Sequence, residues 1–153
     1  MKRLDYYWYT RNPWLVLLTP LSLIYRLIVC LRRSAYKLGI LRSTRVPVPV
    51  IVVGNITVGG TGKTPLVAWM VEYLRGKGYK PGIISRGYGG TASSWPQQVR
   101  SDSDPAVVGD EAVLLAAKTG CLMSVAPDRV AAATALIEHS DCDVILSDDG
   151  LQH

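Results

Sequence analysis

Short apolar runs rich in β-branched residues alternate with stretches of helical apolar spacing through residues 46–153. This pattern predicts an α/β domain in which a mostly parallel sheet is flanked by helices. We expect the first run to be a buried parallel strand, because it ends in continuous β-branched residues, Val50–Val53. The predicted strands are residues 46–53, 80–85, 121–125 and 143–147, and the predicted helices are residues 64–75, 112–118 and 127–139.

A long polar stretch follows the second predicted strand and extends to about residue 104. It begins with Arg86, Gly87, Tyr88 and Gly89, which alone would suit an ordinary turn equally well. Open α/β sheets bind ligands at the carboxyl ends of their strands. We therefore interpret this segment as a loop that contributes to a ligand site.

The N-terminal segment is almost wholly apolar from Trp14 to Leu31, and Asn12 and Pro13 form a good helix start. A helix over residues 13–31 would be about 28 Å long, roughly the thickness of a hydrocarbon core. Pro20 can kink this helix, and Arg26 must reach the headgroups. The pattern thus predicts a membrane helix, and a helix that spans and one that lies in the interface both remain open.

The net charge of +5 is concentrated in this N-terminal part. Residues 1–45 contain nine Lys or Arg and one acid, whereas residues 46–153 contain eight against eleven acids. A basic arm beside an apolar run favours anionic lipid over nucleic acid as the partner. We predict two parts, a membrane anchor with a basic linker at 1–45 and a catalytic domain at 46–153. The basic flank after the helix places that domain on the cytoplasmic side. The three cysteines have no metal-like spacing, and Cys121 and Cys142, which lie beside predicted buried strands, are predicted to be reduced structural thiols.

A glycine-rich segment between the first predicted strand and helix is the main chemical signal. Glycines allow the backbone amides to surround a phosphate at a helix N-terminus, Lys63 adds a positive charge, and the Thr64 hydroxyl can hold Mg²⁺. Thr57 stands where the usual pattern has Gly, so the segment is a variant of the P-loop. This glycine loop predicts ATP binding by a P-loop NTPase-like fold, and its residues are Thr57, Val58, Gly59, Gly60, Thr61, Gly62, Lys63 and Thr64.

Acidic residues stand at two further places where ligands are expected. The last predicted strand ends at Asp148 and Asp149, a position from which a P-loop protein holds Mg²⁺. A paired Asp in a turn before Gly150 is the structural alternative. Asp110 precedes a predicted helix, where a simple N-cap role is also possible.

Taken together, these motifs resemble the tetraacyldisaccharide 4'-kinases of lipid A biosynthesis. The resemblance implies an inner-membrane-attached kinase that transfers the γ-phosphate of ATP to the 4'-hydroxyl of a tetraacyldisaccharide 1-phosphate, using Mg²⁺. No obligate protein partner is evident from the sequence. The segments that carry it are residues 54–65, 85–89, 108–111, 127–129 and 148–153.

The resemblance also implies roles for individual residues. Asp110 is similar to the carboxylate that activates the sugar hydroxyl together with a histidine. Residues expected to face the disaccharide and its phosphate are Tyr88, Arg129, Gln152 and His153. Family members are longer, so we expect an N-terminal portion and assign the activity to the longer protein. The alternatives are a membrane-attached regulatory P-loop ATPase and an inactive nucleotide-binding fragment.

Overall fold

Two compact units make up the chain, Met1–Thr44 and Arg45–His153, and each is described by itself. The structure is a computed structural model that describes residues 18–41, 43–55 and 62–150. The predicted helix start at Asn12 and Pro13 and glycine-loop residues 57–61 lie outside the described residues, as do Gln152 and His153.

The first unit contains helix α1, Thr19–Lys37. Pro20 lies in its first turn, where a missing backbone N–H is tolerated, and Lys37 lies in its last. None of its residues is buried within the chain. The helix continues beyond Leu31 into the segment predicted as a linker, because residues 32–37 include good helix formers and no Gly or Pro. No described helix combines the length and apolar character that crossing a bilayer requires.

The second unit is built on a five-stranded sheet with the order β1-β5-β2-β4-β3. Four strands are parallel, and β3 pairs antiparallel with β4. The α/β class with a mostly parallel sheet is thereby confirmed. The strands are β1 (Val50–Val53), β2 (Pro81–Ser85), β3 (Gln97–Val99), β4 (Met123–Val125) and β5 (Val144–Asp148).

Helices cover both faces of this sheet. On one face Val67, Val71 and Leu115 pack in a core cluster with Leu146, and on the other Leu136 packs with Ile145. Since Ile145 and Leu146 are adjacent in β5 but belong to different clusters, both sides of that strand are buried. The helices of this unit are α2 (Lys63–Gly76), α3 (Pro105–Val108), α4 (Asp110–Thr119) and α5 (Arg129–Glu138).

The prediction of a buried first strand is wrong. Strand β1 begins only at Val50 and lies at the edge of the described sheet, where its single strand neighbour is β5. Val50 and Val52 are consequently 40% and 48% exposed. The strand is shorter than predicted because Pro47 and Pro49 cannot donate to a sheet ladder.

The polar stretch after β2 is also more ordered than predicted. It contains β3, whose Val99 is buried in the core, and it is followed by the short helix α3. Asp104 caps α3, since its Oδ1 accepts a hydrogen bond from the Ala106 N–H at 2.9 Å. A three-residue strand with two glutamines gives too short an alternation to be recognised in the sequence.

The cysteines are free thiols, as predicted. Cys121 is buried and its Sγ donates to the Pro81 carbonyl oxygen at 3.2 Å, and burial raises the pKa of this thiol. Cys142 is also buried, whereas Cys30 is exposed. The two buried thiols therefore contribute to packing beside the amino ends of the parallel strands.

Candidate active site

Strand β5 delivers a buried carboxylate to the carboxyl edge of the sheet. Asp148 is the last residue of β5, is paired in register with Val53 of β1, and is only 3% exposed. Its Oδ1 is buried and has no hydrogen-bond partner among the described residues. Burial raises the pKa of Asp148, and the nearby Glu111 carboxylate raises it further, while Lys63 opposes both. The Asp148 Oδ1 thus has no hydrogen-bond partner to offset its burial.

The next residue, Asp149, forms an ion pair with the lysine of the glycine loop. Lys63 Nζ lies 2.5 Å from Asp149 Oδ1, although the two residues are 86 positions apart in the sequence. The hydrogen bond to Asp149 raises the pKa of Lys63, and partial burial opposes this effect. Lys63 is the first residue of α2 and follows Gly62, whose φ of 73° favours glycine.

Glu111 joins the site through the residue after Lys63. The Thr64 Oγ1 donates a hydrogen bond to Glu111 Oε1 at 3.1 Å and so links the first turns of α2 and α4. No role for Glu111 was predicted from the sequence. The available signal was its position directly after Asp110 in the first turn of a helix. Acidic residues there often serve only the helix dipole, so this signal does not by itself indicate a ligand site.

Asp110 opens α4 but does not cap it. The N-cap residue is Gly109, whose φ of 96° lies in a region that non-glycine residues rarely adopt. The alternative N-cap role for Asp110 is therefore wrong. Asp110 is exposed, and its Oδ1 accepts a hydrogen bond from the Glu111 N–H at 2.9 Å. The carboxylate is accessible to a substrate in solution or at a surface.

Residues 86–92, which we call the Tyr88 loop, pack directly against the segment before Asp110. Backbone N–H groups of Thr91 and Ala92 donate to the carbonyl oxygens of Ala106 and Val107 at 3.0 and 3.1 Å. A Cβ added to Gly109 would lie only 2.4 Å from the Tyr88 carbonyl oxygen. The Tyr88 loop and the Asp110 segment are thus held together by close backbone contact.

The Tyr88 loop also lines an open cavity. Tyr88 is 83% exposed, so its ring is available to a ligand. The cavity has a volume of about 370 Å³, and its lining is residues 86–90, Trp95 and Pro127.

Arg129 lies beneath the end of β5. Its Nη2 donates to the carbonyl oxygens of Asp148 and Asp149 at 3.3 and 3.4 Å, and its Nη1 to that of Ala126 at 3.5 Å. Burial lowers the pKa of Arg129, and the neighbouring Arg86 lowers it further. These contacts hold the main chain of the acidic pair, whereas the substrate-facing role implied by the resemblance stays a prediction.

The donor set fits a magnesium ion of the kind that binds with a nucleotide. Among residues 18–41, 43–55 and 62–150, no three His, Cys, Asp or Glu side chains form a metal cluster. Mg²⁺ in phosphate sites, however, usually takes one or two carboxylates and completes its shell with water and phosphate oxygens. The unpartnered Asp148 Oδ1, the Glu111 carboxylate and the Thr64 hydroxyl supply such oxygens at one edge of the sheet.

Comparison with known proteins identifies relatives across almost the whole sequence. A family model for tetraacyldisaccharide-1-P 4'-kinase, LpxK, matches residues 14–153. The tetraacyldisaccharide 4'-kinase of Nitrosococcus oceani is 60% identical over 147 residues, which are 96% of this chain and 44% of that protein. The enzyme of the same name from Alkalilimnicola ehrlichii is 56% identical over 155 residues, covering 100% of this chain and 46% of its own length.

A solved structure has the same fold. The crystal structure of the "apo" form of LpxK from Aquifex aeolicus in complex with ATP aligns with a TM-score of 0.72 and 32% sequence identity. The alignment covers 89% of this chain and 44% of that one. The chain therefore spans slightly less than half the length of the relatives that it matches. The family expected from the motifs is confirmed, and the chain belongs to the tetraacyldisaccharide-1-P 4'-kinase family.

Proposed function

We propose that the protein containing these residues transfers the γ-phosphate of ATP to the 4'-hydroxyl of a tetraacyldisaccharide 1-phosphate, a lipid A precursor. Family membership and the ATP-bound relative support the reaction and the nucleotide. The observation that carries the proposal is the contact between Lys63 of the glycine loop and Asp149 at the end of β5. It joins the phosphate-binding and acidic motifs at one edge of a single sheet.

Phosphoryl transfer depends mainly on positioning and charge neutralisation. Lys63 would bind the β- and γ-phosphate oxygens, and the amides at the start of α2 would add fixed donors. Thr64, Glu111 and Asp148 would hold Mg²⁺. When bound, this ion neutralises charge on the phosphate oxygens as a Lewis acid. The site residues then keep the phosphates in line with an acceptor.

Asp110 is the residue that we assign to proton acceptance. The substrate 4'-hydroxyl transfers its proton to the Asp110 carboxylate as its oxygen forms a bond to the γ-phosphorus. The bond between that phosphorus and the bridging oxygen breaks, and ADP leaves with the bonding electrons. Asp110 suits this role because it is exposed and is fixed beside the Tyr88 loop by the Gly109 contact.

We also propose that α1 attaches the protein to the inner membrane, with the second unit on the cytoplasmic side, where ATP is available. The helix exposes large apolar side chains such as Leu21, Ile24 and Ile28, together with Arg32 and Arg33. Apolar side chains beside basic residues favour an anionic membrane surface. Replacing Ile24 and Ile28 by Ser should reduce sedimentation with anionic vesicles, and unchanged sedimentation would contradict the assignment.

The reaction is tested with the full-length protein, radiolabelled ATP, Mg²⁺ and a tetraacyldisaccharide 1-phosphate in detergent. We expect label in the lipid, and Lys63→Ala should abolish its transfer. Asp141→Asn is the matched control, because Asp141 pairs with Lys80 at the amino edge of the sheet, away from the site. Label that appears only as free phosphate would refute the kinase and favour a regulatory ATPase.

A further inference from the structure

The two adjacent aspartates at the end of β5 have different surroundings. Asp148 is buried with an unpartnered Oδ1, whereas the Asp149 side chain is 42% exposed and is paired with Lys63 at 2.5 Å. Lys63 therefore forms its close ion pair with Asp149, whereas it acts on Asp148 only through a longer-range electrostatic interaction.

Backbone geometry explains the difference. Side chains alternate across a strand, so Asp148 lies on the same face as Leu146, the face covered by α2 and α4. An extended residue at 149 would point to the opposite face. Asp149 instead has a φ of 53°, and this left-handed turn brings its carboxylate to Lys63 at the start of α2.

Arg129 holds this turn in place. Its guanidinium donates to the main-chain carbonyl oxygens of both Asp148 and Asp149. Glycine follows at position 150, where an added Cβ would lie 2.7 Å from both Ser147 Oγ and Val52 Cγ1. The backbone is therefore fixed on both sides of Asp149, and the position of its carboxylate is determined by the fold.

We propose that Asp149 is a positioning residue for Lys63 and not a metal ligand, so that Asp148 alone of the pair faces Mg²⁺. This inference rests on the proposed function, and it distinguishes two aspartates that the sequence places together near Mg²⁺. An ammonium group has three N–H donors. With one donated to Asp149, the two others remain for phosphate oxygens, and the ion pair limits the directions in which they point.

The first test separates metal binding from lysine positioning. Mn²⁺ binding to the full-length protein is measured by electron paramagnetic resonance with a non-hydrolysable ATP analogue. Asp148→Asn should weaken Mn²⁺ binding about tenfold or more. Asp149→Asn should change Mn²⁺ binding less than about twofold, as expected for a residue that does not contact the ion. Equal weakening in both variants would overturn the proposal.

The second test asks whether Asp149 acts through Lys63. The affinity for a fluorescent ATP analogue is measured in EDTA for Asp149→Asn, Lys63→Met and the double variant. Neutralising Asp149 removes the competitor for the ammonium, so nucleotide affinity should rise roughly fivefold. In the separate kinase assay with Mg²⁺ and lipid, kcat should fall about 100-fold because Lys63 is misplaced. In the Lys63→Met background the gain in affinity should shrink to less than about twofold. A gain of the same size in both backgrounds would refute the positioning role.

Suitable variants keep folding and function separate. Asn is chosen at position 149 because it tolerates the left-handed conformation, and Asp149→Gly serves the same purpose if the Asn variant does not fold. Asp141→Asn should change neither Mn²⁺ nor nucleotide binding, since its Lys80 partner is remote from the site. Neither binding test uses the lipid. If wild-type protein binds nucleotide but labels no lipid, the proposed function fails, and these measurements still decide between the two roles.

Discussion

Gly109 combines a backbone conformation suited to glycine with a close contact to the Tyr88 loop. Its φ of 96° and ψ of 138° lie in a region that is essentially restricted to glycine. An added Cβ would stand 2.4 Å from the Tyr88 carbonyl oxygen, a backbone atom that cannot rotate away. We predict that Gly109→Ala separates the Tyr88 loop from the first turn of α4 and moves Asp110.

The loss of stability in Gly109→Ala is the sum of the backbone strain and the cost of the close contact. A non-glycine residue in this backbone region costs about 1–3 kcal/mol. Overpacking against a fixed neighbour adds about 1–3 kcal/mol. Gly120→Ala provides the comparison, because Gly120 ends the same helix with a φ of 56° and has nothing within 4 Å of an added Cβ. That variant should be destabilised only by the cost of the left-handed backbone conformation, about 1–2 kcal/mol.

Urea unfolding of the two variants, followed by circular dichroism, measures the difference. The free energy of unfolding should be lower for Gly109→Ala than for Gly120→Ala by about 2–3 kcal/mol. This difference consists of the overpacking and part of the backbone strain. In the kinase assay, kcat/KM for the lipid should fall for Gly109→Ala more than ATP affinity does, because Asp110 moves and Lys63 does not. Equal stability of the two variants would refute the close contact as the cause.

Three further predictions concern the carboxylates. Asp110→Asn should leave ATP affinity within about twofold and reduce kcat about 100-fold or more, as expected for loss of a general base, whereas loss of ATP binding would contradict this role. Glu111→Gln should raise the Mg²⁺ concentration needed for half-maximal activity about tenfold, and an unchanged Mg²⁺ profile would exclude Glu111 from the metal site. Asp148→Asn should raise the free energy of unfolding at pH 7 by about 1 kcal/mol in metal-free buffer. The folded-state pKa of Asp148 is raised above 3.8, so the stability of the wild-type protein falls as the pH rises from 3.8 through the raised pKa. The gain in stability from Asp148→Asn should therefore vanish below pH 3.8, as measured by urea titrations.

Local sequence patterns were sufficient to predict the elements that build the site. Strand β5 and helix α2 lie close to their predicted limits, because each is a continuous apolar or amphipathic run with a clear stop signal. Parallel strands place their carboxyl ends on one edge. The approximate location of Asp148 and of Lys63 could therefore be predicted from the sequence.

Contacts that depend on strand order and backbone turns could not be predicted in the same way. The ion pair of Lys63 requires β5 to lie next to β1 and Asp149 to adopt a positive φ. The contact of Glu111 with Thr64 requires α2 and α4 to pack on the same face of the sheet. These are consequences of tertiary packing, and no spacing within the chain encodes them.

The unsatisfied polar atoms of the fold point to the same edge of the sheet. Among the residues that the structure describes, the buried side-chain atoms without a hydrogen-bond partner are Asp148 Oδ1 and Arg129 Nε. Elsewhere a buried polar group is paired, as where the Thr119 Oγ1 donates to the Leu115 carbonyl oxygen at 2.8 Å. An unpaired buried carboxylate oxygen costs stability, and such costs persist where function requires them. Since Asn would relieve the charge at position 148 without changing its shape, the carboxylate is best explained by a cation that binds there.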